Sequence, residues 1–491
     1  MFIAASSKRP ETQAQATAGA PGQTKERGHN FAVAAILSLA LLLAGCKGIS
    51  TRGEKEARSQ AQSVAASYRP QGQKPTLPLL TASSSLSNYL TYALLNQPKV
   101  EAAYYEWSAS IERITQARSF PDPQFTFQMD IQNVVTSIMP GLMGAIPWPD
   151  KLRVGAEIAS AESQAKYFTF QSAVLESAFR VKRAYYQLYF LDEKIGVNQD
   201  TLRLLADLEK LARAQNEVGK VTLQDVLRAQ IEQDRLRSEI ANLEDSRSSL
   251  QAQFKAALGL GAGDPTPCLP ARFESTPLDL TADKLFETAL AQNSRLKAME
   301  ADVRVAEASI ILARRARLPD STLGLMADAK MDPTLYRPLG TVSLPIWRDK
   351  IAAQIAEAQA NKRVAQAQLS GEQITLAVDF AERSFLYREA TRNLALLNDK
   401  LLPKARRSLE VARSGYLAGQ IDFLNLTDSE RTLLGFKLDK VEATTQREIV
   451  LAELSLIIQG MPPSGAPMGP SAARMSGAAP SGPRKANRGG M

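Results

Sequence analysis

The chain writes one strand-and-helix design twice. Trp148-Pro149-Asp150-Lys151 returns as Trp347-Arg348-Asp349-Lys350, and Ala212-Arg213 ahead of Gly219 returns as Ala412-Arg413 ahead of Gly419. Ala93-Leu94 and Ala117-Arg118 return as Ala289-Leu290 and Ala313-Arg314. The copies stand roughly 196–200 residues apart, far beyond the period of a solenoid unit. A mixed module of this size, duplicated, predicts copies arranged about an axis.

Each copy holds two incompatible periods. Phe125, Phe127, Met129 and Ile131 alternate with Thr126, Gln128, Asp130 and Gln132. This two-residue repeat predicts a strand with one apolar and one wet face, the pattern of a wall between lipid and a polar lumen. Its duplicate spans Thr322 to Lys330, with Leu323, Leu325, Ala327 and Ala329 on one face. Partner strands are predicted near Ser137 to Ile146, where alternation is poor, and around Leu339 to Ile346, beyond an Asp332-Pro333 turn. After each pair comes a Trp, then Asp-Lys, then a very long helix. Residues 151–216 contain no proline and would span roughly 99 Å as one helix. Residues 350–402 behave alike, and Pro403 is expected to bend the second copy rather than end it. Both reach a glycine turn, at Gly219 and Gly419, and then a returning helix. In the first return helix Leu236, Ile240, Leu243, Arg247, Leu250, Phe254 and Ala257 form a coiled-coil seam interrupted once, by Arg247. Ahead of the strands, Ser85 to Arg118 reads as one amphipathic helix stopped by Pro121 and Pro123.

The ends read differently. Lys25 and Arg27 precede an apolar run, Phe31 to Gly45, that suits a secretory signal and is short for a membrane span. Leu43-Ala44-Gly45-Cys46 resembles the bacterial lipobox, which makes Cys46 the lipidated mature N-terminus, with a plain signal peptide as the alternative. Residues 1–45 are thus read as signal peptide and 46–84 as a lipidated tether. The first repeat is 85–260, a linker 261–280, the second repeat 281–460, and 461–491 a disordered tail. Signal removal leaves Cys268 without an intramolecular partner and removes His29, the single histidine. The mature chain therefore offers little to zinc or copper, lacks the commonest general base, and is read as a non-enzyme with no cofactor and no metal. The formal charge of +8 does not mark a nucleic-acid binder. Most of it lies in the tail (Arg474, Arg484, Lys485, Arg488) and ahead of the apolar run, leaving the repeats nearly balanced.

Four strands cannot close a barrel, and open edges are not tolerated in lipid. Eight strands from two chains would leave an interior filled by side chains, whereas three chains give twelve and a bore. The predicted fold is therefore mainly α with a membrane β part: a trimeric 12-stranded barrel continued by a helical periplasmic tunnel. Trp148 and Trp347 fall where strand gives way to helix, at the expected membrane interface or packed between strand base and helix top. Trp107 is expected to pack between helices.

The order and spacing of Ala93-Leu94-Leu95-Asn96-Gln97-Pro98, Ile146-Pro147-Trp148-Pro149-Asp150-Lys151-Leu152, Tyr185-Tyr186-Gln187-Leu188-Tyr189, the segment Val218 to Leu227 and Val342-Ser343-Leu344-Pro345-Ile346-Trp347 resemble the outer membrane efflux protein (TolC-like) family over about residues 85–460. The Pro-Trp-Pro-Asp-Lys-Leu junction and the lipobox lean toward its heavy-metal efflux (CusC/CzcC-like) branch, although Asp150 stands where that branch commonly has Gly. The resemblance implies a passive, homotrimeric exit channel in the outer membrane of a Gram-negative bacterium, lipid-anchored, with a periplasmic helical extension. Its implied partners are a periplasmic adaptor, an inner-membrane pump of the RND type and outer membrane lipid. It also implies acidic residues facing the pore near the glycine turns. By motif these positions are Asp225, its second-repeat equivalent Asn425, and Asp428; solvent-facing or helix-packing roles are the alternative. A periplasmic coiled-coil adaptor or scaffold lipoprotein is the rival reading, but an adaptor would carry one hairpin rather than two strand-bearing copies.

Overall fold

A computed structural model describes residues 50–81, 83–131, 135–268 and 282–459. The signal peptide, Cys46, most of the 261–280 segment and the tail lie outside the described residues.

Helix α1 (Arg52–Tyr68) is followed by α2 (Leu86–Asn96), α3 (Pro98–Arg118), strands β1 (Gln124–Ile131) and β2 (Val135–Ile146), and then the 69-residue α4 (Pro149–Glu217). α5 (Leu223–Ala257) returns. The second copy runs α6 (Ala282–Gln292), α7 (Ser294–Arg315), β3 (Asp320–Asp328), β4 (Leu335–Ser343), α8 (Arg348–Leu396), α9 (Leu402–Leu417) and α10 (Phe423–Gln459). At 1.5 Å per residue α4 is about 100 Å long.

The four strands form one antiparallel sheet in the order β1-β2-β3-β4, so β1 and β4 are its edges. The helices repeat that order as four columns. α3 packs on α4, α4 on α7, and α7 on α8. Away from the sheet the neighbours are α5, α4, α10 and then α8 with α9. α5 and α3 are two pieces of one column, and α10 and α7 of another. The joints are made by amides. Asn96 Nδ2 donates to Leu258 O (2.9 Å) and Gly259 O (3.1 Å), while Gln97 Nε2 donates to Ala256 O (3.0 Å) and Ala257 O (3.2 Å). In the second copy Asn293 Nδ2 donates to Ile457 O at 2.8 Å. These bonds satisfy terminal carbonyls that a buried helix end would otherwise leave unpaired. Gly259 takes φ +75°, and a Cβ there would stand 2.8 Å from Asn96 O, so the joint requires glycine.

Three expectations change. The helix expected over Ser85–Arg118 is two helices, because Pro98 lacks an N–H and holds Gln97 extended at φ −72°, ψ 117°. The tether contains a docked helix: Thr51 caps α1, Ala57, Ala61, Val64 and Tyr68 lie against α3 and α4, and Glu54 pairs with Arg118 at 2.6 Å. β4 begins and ends earlier than expected, since Pro345 and the tight turn from Ile346 N–H to Leu344 O (3.0 Å) close it. The column, as expected, does not end at Pro403: one π turn, Leu397–Leu401, carries α8 into α9. As expected, Trp107 packs between helices, 1% exposed and stacked on Phe170. Arg247, the seam's odd residue, pairs with Asp192 of α4 at 2.7 Å.

Candidate functional site

Strand pairing sorts the sheet's side chains into two chemistries. Phe125, Phe127 and Met129 sit opposite Leu142, Pro140 and Ile138, and Leu142 opposite Leu325. Leu325 and Ala327 in turn face Pro338 and Tyr336. This face is apolar and solvent-exposed in the single chain, Phe125 at 73%. The opposite face carries Thr126, Gln128, Asp130, Ser137, Asp328 and Arg337 among Met139, Met326, Leu335 and Leu339, with Ser137 Oγ donating to Asp328 Oδ2 at 2.8 Å. Gly141 lies between its strand partners Thr126 and Met326 on that face, where a Cβ would stand 2.6 Å from Met326 Cγ and 2.9 Å from Thr126 Oγ1. Gly141 and Pro140 are why the alternation of β2 is poor in the sequence.

No helix among the described residues is long and apolar enough to cross a membrane. The sheet is the element whose surface suits lipid. Trp148 and Trp347 both stand at its foot, each preceding a long helix, and both are exposed. Trp148 N–H donates to Asp320 Oδ1 (3.0 Å), and Lys151 Nζ reaches Asp320 Oδ2 (2.7 Å) and Leu318 O (2.9 Å).

The far end of the columns is built from the two glycine turns. Gly219 (φ +74°) and Gly419 (φ +73°) end α4 and α9 in the left-handed conformation. Lys220 N–H then donates to Gln215 O (2.9 Å) and Gln420 N–H to Gly415 O (2.8 Å), a bond pattern that L side chains at the glycine positions would strain. Leu208, Ala212, Val226 and Ala229 of the first hairpin pack against Ala412, Tyr416, Phe423 and Leu426 of the second. Asp225 is half-buried near the start of α5, and Thr222 Oγ1 lies 3.5 Å from its Oδ2. Its charge is felt across the hairpin contact: burial and then the Asp225 carboxylate push the Tyr416 phenol to about 12. The buried Tyr416 hydroxyl has no hydrogen-bond partner among the described residues.

Asn425 and Asp428 are exposed near the start of α10. A further acid that the repeat motif does not mark, Asp422, is also exposed, and its backbone carbonyl accepts from Asn425 N–H (3.1 Å) and Leu426 N–H (3.4 Å). Thr222 occupies the corresponding place in the first repeat, three residues after the glycine, so the second-copy acid has moved from the third helical residue to the capping one.

Two clamps lie behind the turns. Hydrogen bonds from Arg213 (2.7 Å), Gln230 (2.9 Å) and Gln233 (3.1 Å) hold the Glu209 carboxyl down at about 2 and tie α4 to α5. Arg431 of α10 forms a two-point ion pair with Glu232 of α5, its Nε 3.2 Å from Oε2. Beside it Glu430 is 3% exposed, and burial raises its carboxyl to about 7.

Residues 89–260 and 285–459 match the family model described as outer membrane efflux protein. The chain is 23% identical over 366 residues to the cobalt-zinc-cadmium resistance protein CzcC of Cupriavidus metallidurans, covering 71% of this chain and 84% of that one. It is 23% identical over 407 residues to the outer membrane efflux protein BepC of Brucella suis, covering 77% and 86%. The crystal structure of the outer membrane protein VceC from Vibrio cholerae shares the fold at a TM-score of 0.64 and 16% identity, covering 76% of this chain and 96% of that one.

Proposed function

The chain belongs to the outer membrane efflux protein (TolC-like) family, and we propose that it is the homotrimeric exit channel of a tripartite efflux system. An inner-membrane pump of the RND type would deliver cargo through a periplasmic adaptor, and this protein would pass it outward without chemistry of its own. The observation that carries the reading is the sheet: apolar on one face, with its charged and amide side chains gathered on the other, and open at both edges. Unpaired N–H and C=O groups have no partner in hydrocarbon, so β4 of one copy must pair with β1 of the next. Twelve strands from three copies leave a polar bore. The columns favour the same closure. Leu223, Leu227 and Ile231 on α5, and Ile374, Val378 and Phe385 on α8, are exposed apolar residues on the two outermost columns.

In this assembly Trp148 and Trp347 occupy the periplasmic interface, and Asp225, Asp428 and the newly found Asp422 line the entrance, with Asn425 neutral among them. Lipidation of Cys46 fits the position of α1. Gly53 abuts Ser160, eleven residues along α4 from Pro149 and therefore roughly 17 Å from the foot of the sheet. Five residues from Cys46 to Thr51 reach roughly 17 Å when extended, enough to place acyl chains in the inner leaflet.

The test is the mature protein purified from outer membranes. Light scattering in detergent should give three protomers, and planar bilayers should show discrete conductance steps. A detergent-independent monomer without conductance would refute the channel.

A further inference from the structure

The intrachain seam between β2 and β3 has a counterpart at the open edges, and we propose that Asp122 of one copy clasps the Trp347–Lys350 junction of the next. The inference rests on the trimer proposed above and names the contact that closes it. Within the chain, the donor half of the seam is Trp-x-x-Lys at the foot of β2. The acceptor half is Pro319-Asp320 at the head of β3. One Asp320 oxygen takes the Trp148 N–H and the other takes Lys151 Nζ, which also reaches Leu318 O.

Both halves recur, each at a sheet edge. Trp347-Arg348-Asp349-Lys350 is the donor half at the foot of β4, and Pro121-Asp122 is the acceptor half at the head of β1. Phe120 stands where Leu318 does, two residues before the aspartate. Asp122 and Lys350 are exposed, and neither has an ion pair among the described residues.

Strand register provides an independent check. Asp122 and Asp320 differ by 198 positions, as do Pro147 and Pro345. Carrying the observed pairs Gly144↔Leu323 and Leu142↔Leu325 across that shift gives Val342↔Phe125 and Gly340↔Phe127 between copies. All four residues already lie on the apolar face. A slip of one residue would turn Thr341 toward lipid, so the register that joins the charges also preserves the faces. The second copy has one extra residue, Ile346, before its Trp, and the turn at Leu344-Pro345-Ile346 absorbs it. One element is missing. Arg315 pairs with Asp150 at 2.8 Å inside the chain, but Ala117 stands 198 positions before Arg315, so the seam between copies lacks that pair.

A zero-length carbodiimide joins a carboxylate to an amine only where they touch. The purified mature protein in detergent would be treated, boiled, separated by size and digested for mass spectrometry, with the intrachain Asp320–Lys151 link as internal control. The expected result is an Asp122–Lys350 isopeptide confined to bands of two or three protomers, and its loss in Lys350→Arg without loss of the oligomer. An oligomer that yields the control link but no Asp122–Lys350 link overturns the clasp and leaves the trimer standing. A single protomer by light scattering overturns the trimer itself. A charge exchange gives a second measure. Asp122→Lys or Lys350→Asp alone should lower the temperature at which the oligomer dissociates in dodecyl sulfate, and the two together should restore it. Equal dissociation temperatures in all four proteins would also overturn the clasp.

Discussion

Asn293 joins the two pieces of one column, α7 and α10, with one side chain, and its removal separates two contributions. Its Oδ1 accepts from Arg295 N–H and Leu296 N–H at 3.0 Å each, capping α7, while its Nδ2 donates to Ile457 O at the end of α10. The residue is 2% exposed, so water does not replace either bond. Loss of an N-cap costs about 0.5–2 kcal/mol, and a buried carbonyl left without its donor costs about 1–3 kcal/mol. Asn293→Ala should therefore destabilise the helical body by about 2–4 kcal/mol. Asn293→Ser keeps a capping oxygen but cannot reach Ile457, and should lose only about 1–2 kcal/mol. The measurement is urea unfolding in detergent followed by ellipticity at 222 nm, compared as midpoint shifts at constant slope. If both variants unfold within about 0.5 kcal/mol of the parent, the amide does not hold the joint and the argument is wrong.

Four further expectations follow from particular contacts. Gly259→Ala meets Asn96 O and an unfavourable φ and should destabilise, whereas Gly371→Ala, in open space inside α8, should stabilise by about 0.5–1 kcal/mol; thermal melts of both variants decide this. Leu325→Lys on the apolar face should cost about 2–4 kcal/mol of membrane stability and reduce the amount recovered in outer membranes, while Thr341→Lys on the polar face should be tolerated. Glu430 has a folded-state pKa of about 7, above its unfolded value, so stability should fall as pH rises from about 4.5 through 7, by about 3 kcal/mol in all. Glu232 opposes its ionisation while Lys437 and Arg431 favour it; Glu430→Gln should flatten the pH dependence measured by urea midpoints. Asp225→Ala with Asp428→Ala should reduce cation preference in planar-bilayer reversal potentials, and unchanged selectivity would refute an acidic entrance.

Much of the architecture is written in the spacing because a strand with two unlike faces alternates every two residues while a helix repeats every 3.6. Phe125 to Ile131 alternates plainly, the helix after Trp148 has no proline beyond its first residue, Pro149, and the helix after Trp347 has none before Pro403. What stayed hidden depended on contacts from distant segments. α1 looked loose because Ser, Ala and Gln dominate it, although Ala57, Ala61, Val64 and Tyr68 are spaced to cover a neighbouring helix. The break at Asn293 has no proline to announce it, and its cause is the end of α10, some 160 residues away. Asp422 does not follow the motif because the first-repeat acid, Asp225, lies six residues after its glycine and Asp422 only three after Gly419. Glu430 reads as one more surface acid until the packed hairpins bury it.

Each strand of the sheet continues into its own helical column, one to one and in the same order. In the proposed assembly, membrane wall and periplasmic duct would therefore share a single circumference, fixed by how many protomers close the ring. Neither can be widened independently by adding a subunit, because every newcomer brings four staves to both storeys. Differences in bore along the axis must come from tilt, side-chain size and twist. A closed end on an open cylinder is thus a matter of winding rather than of membership.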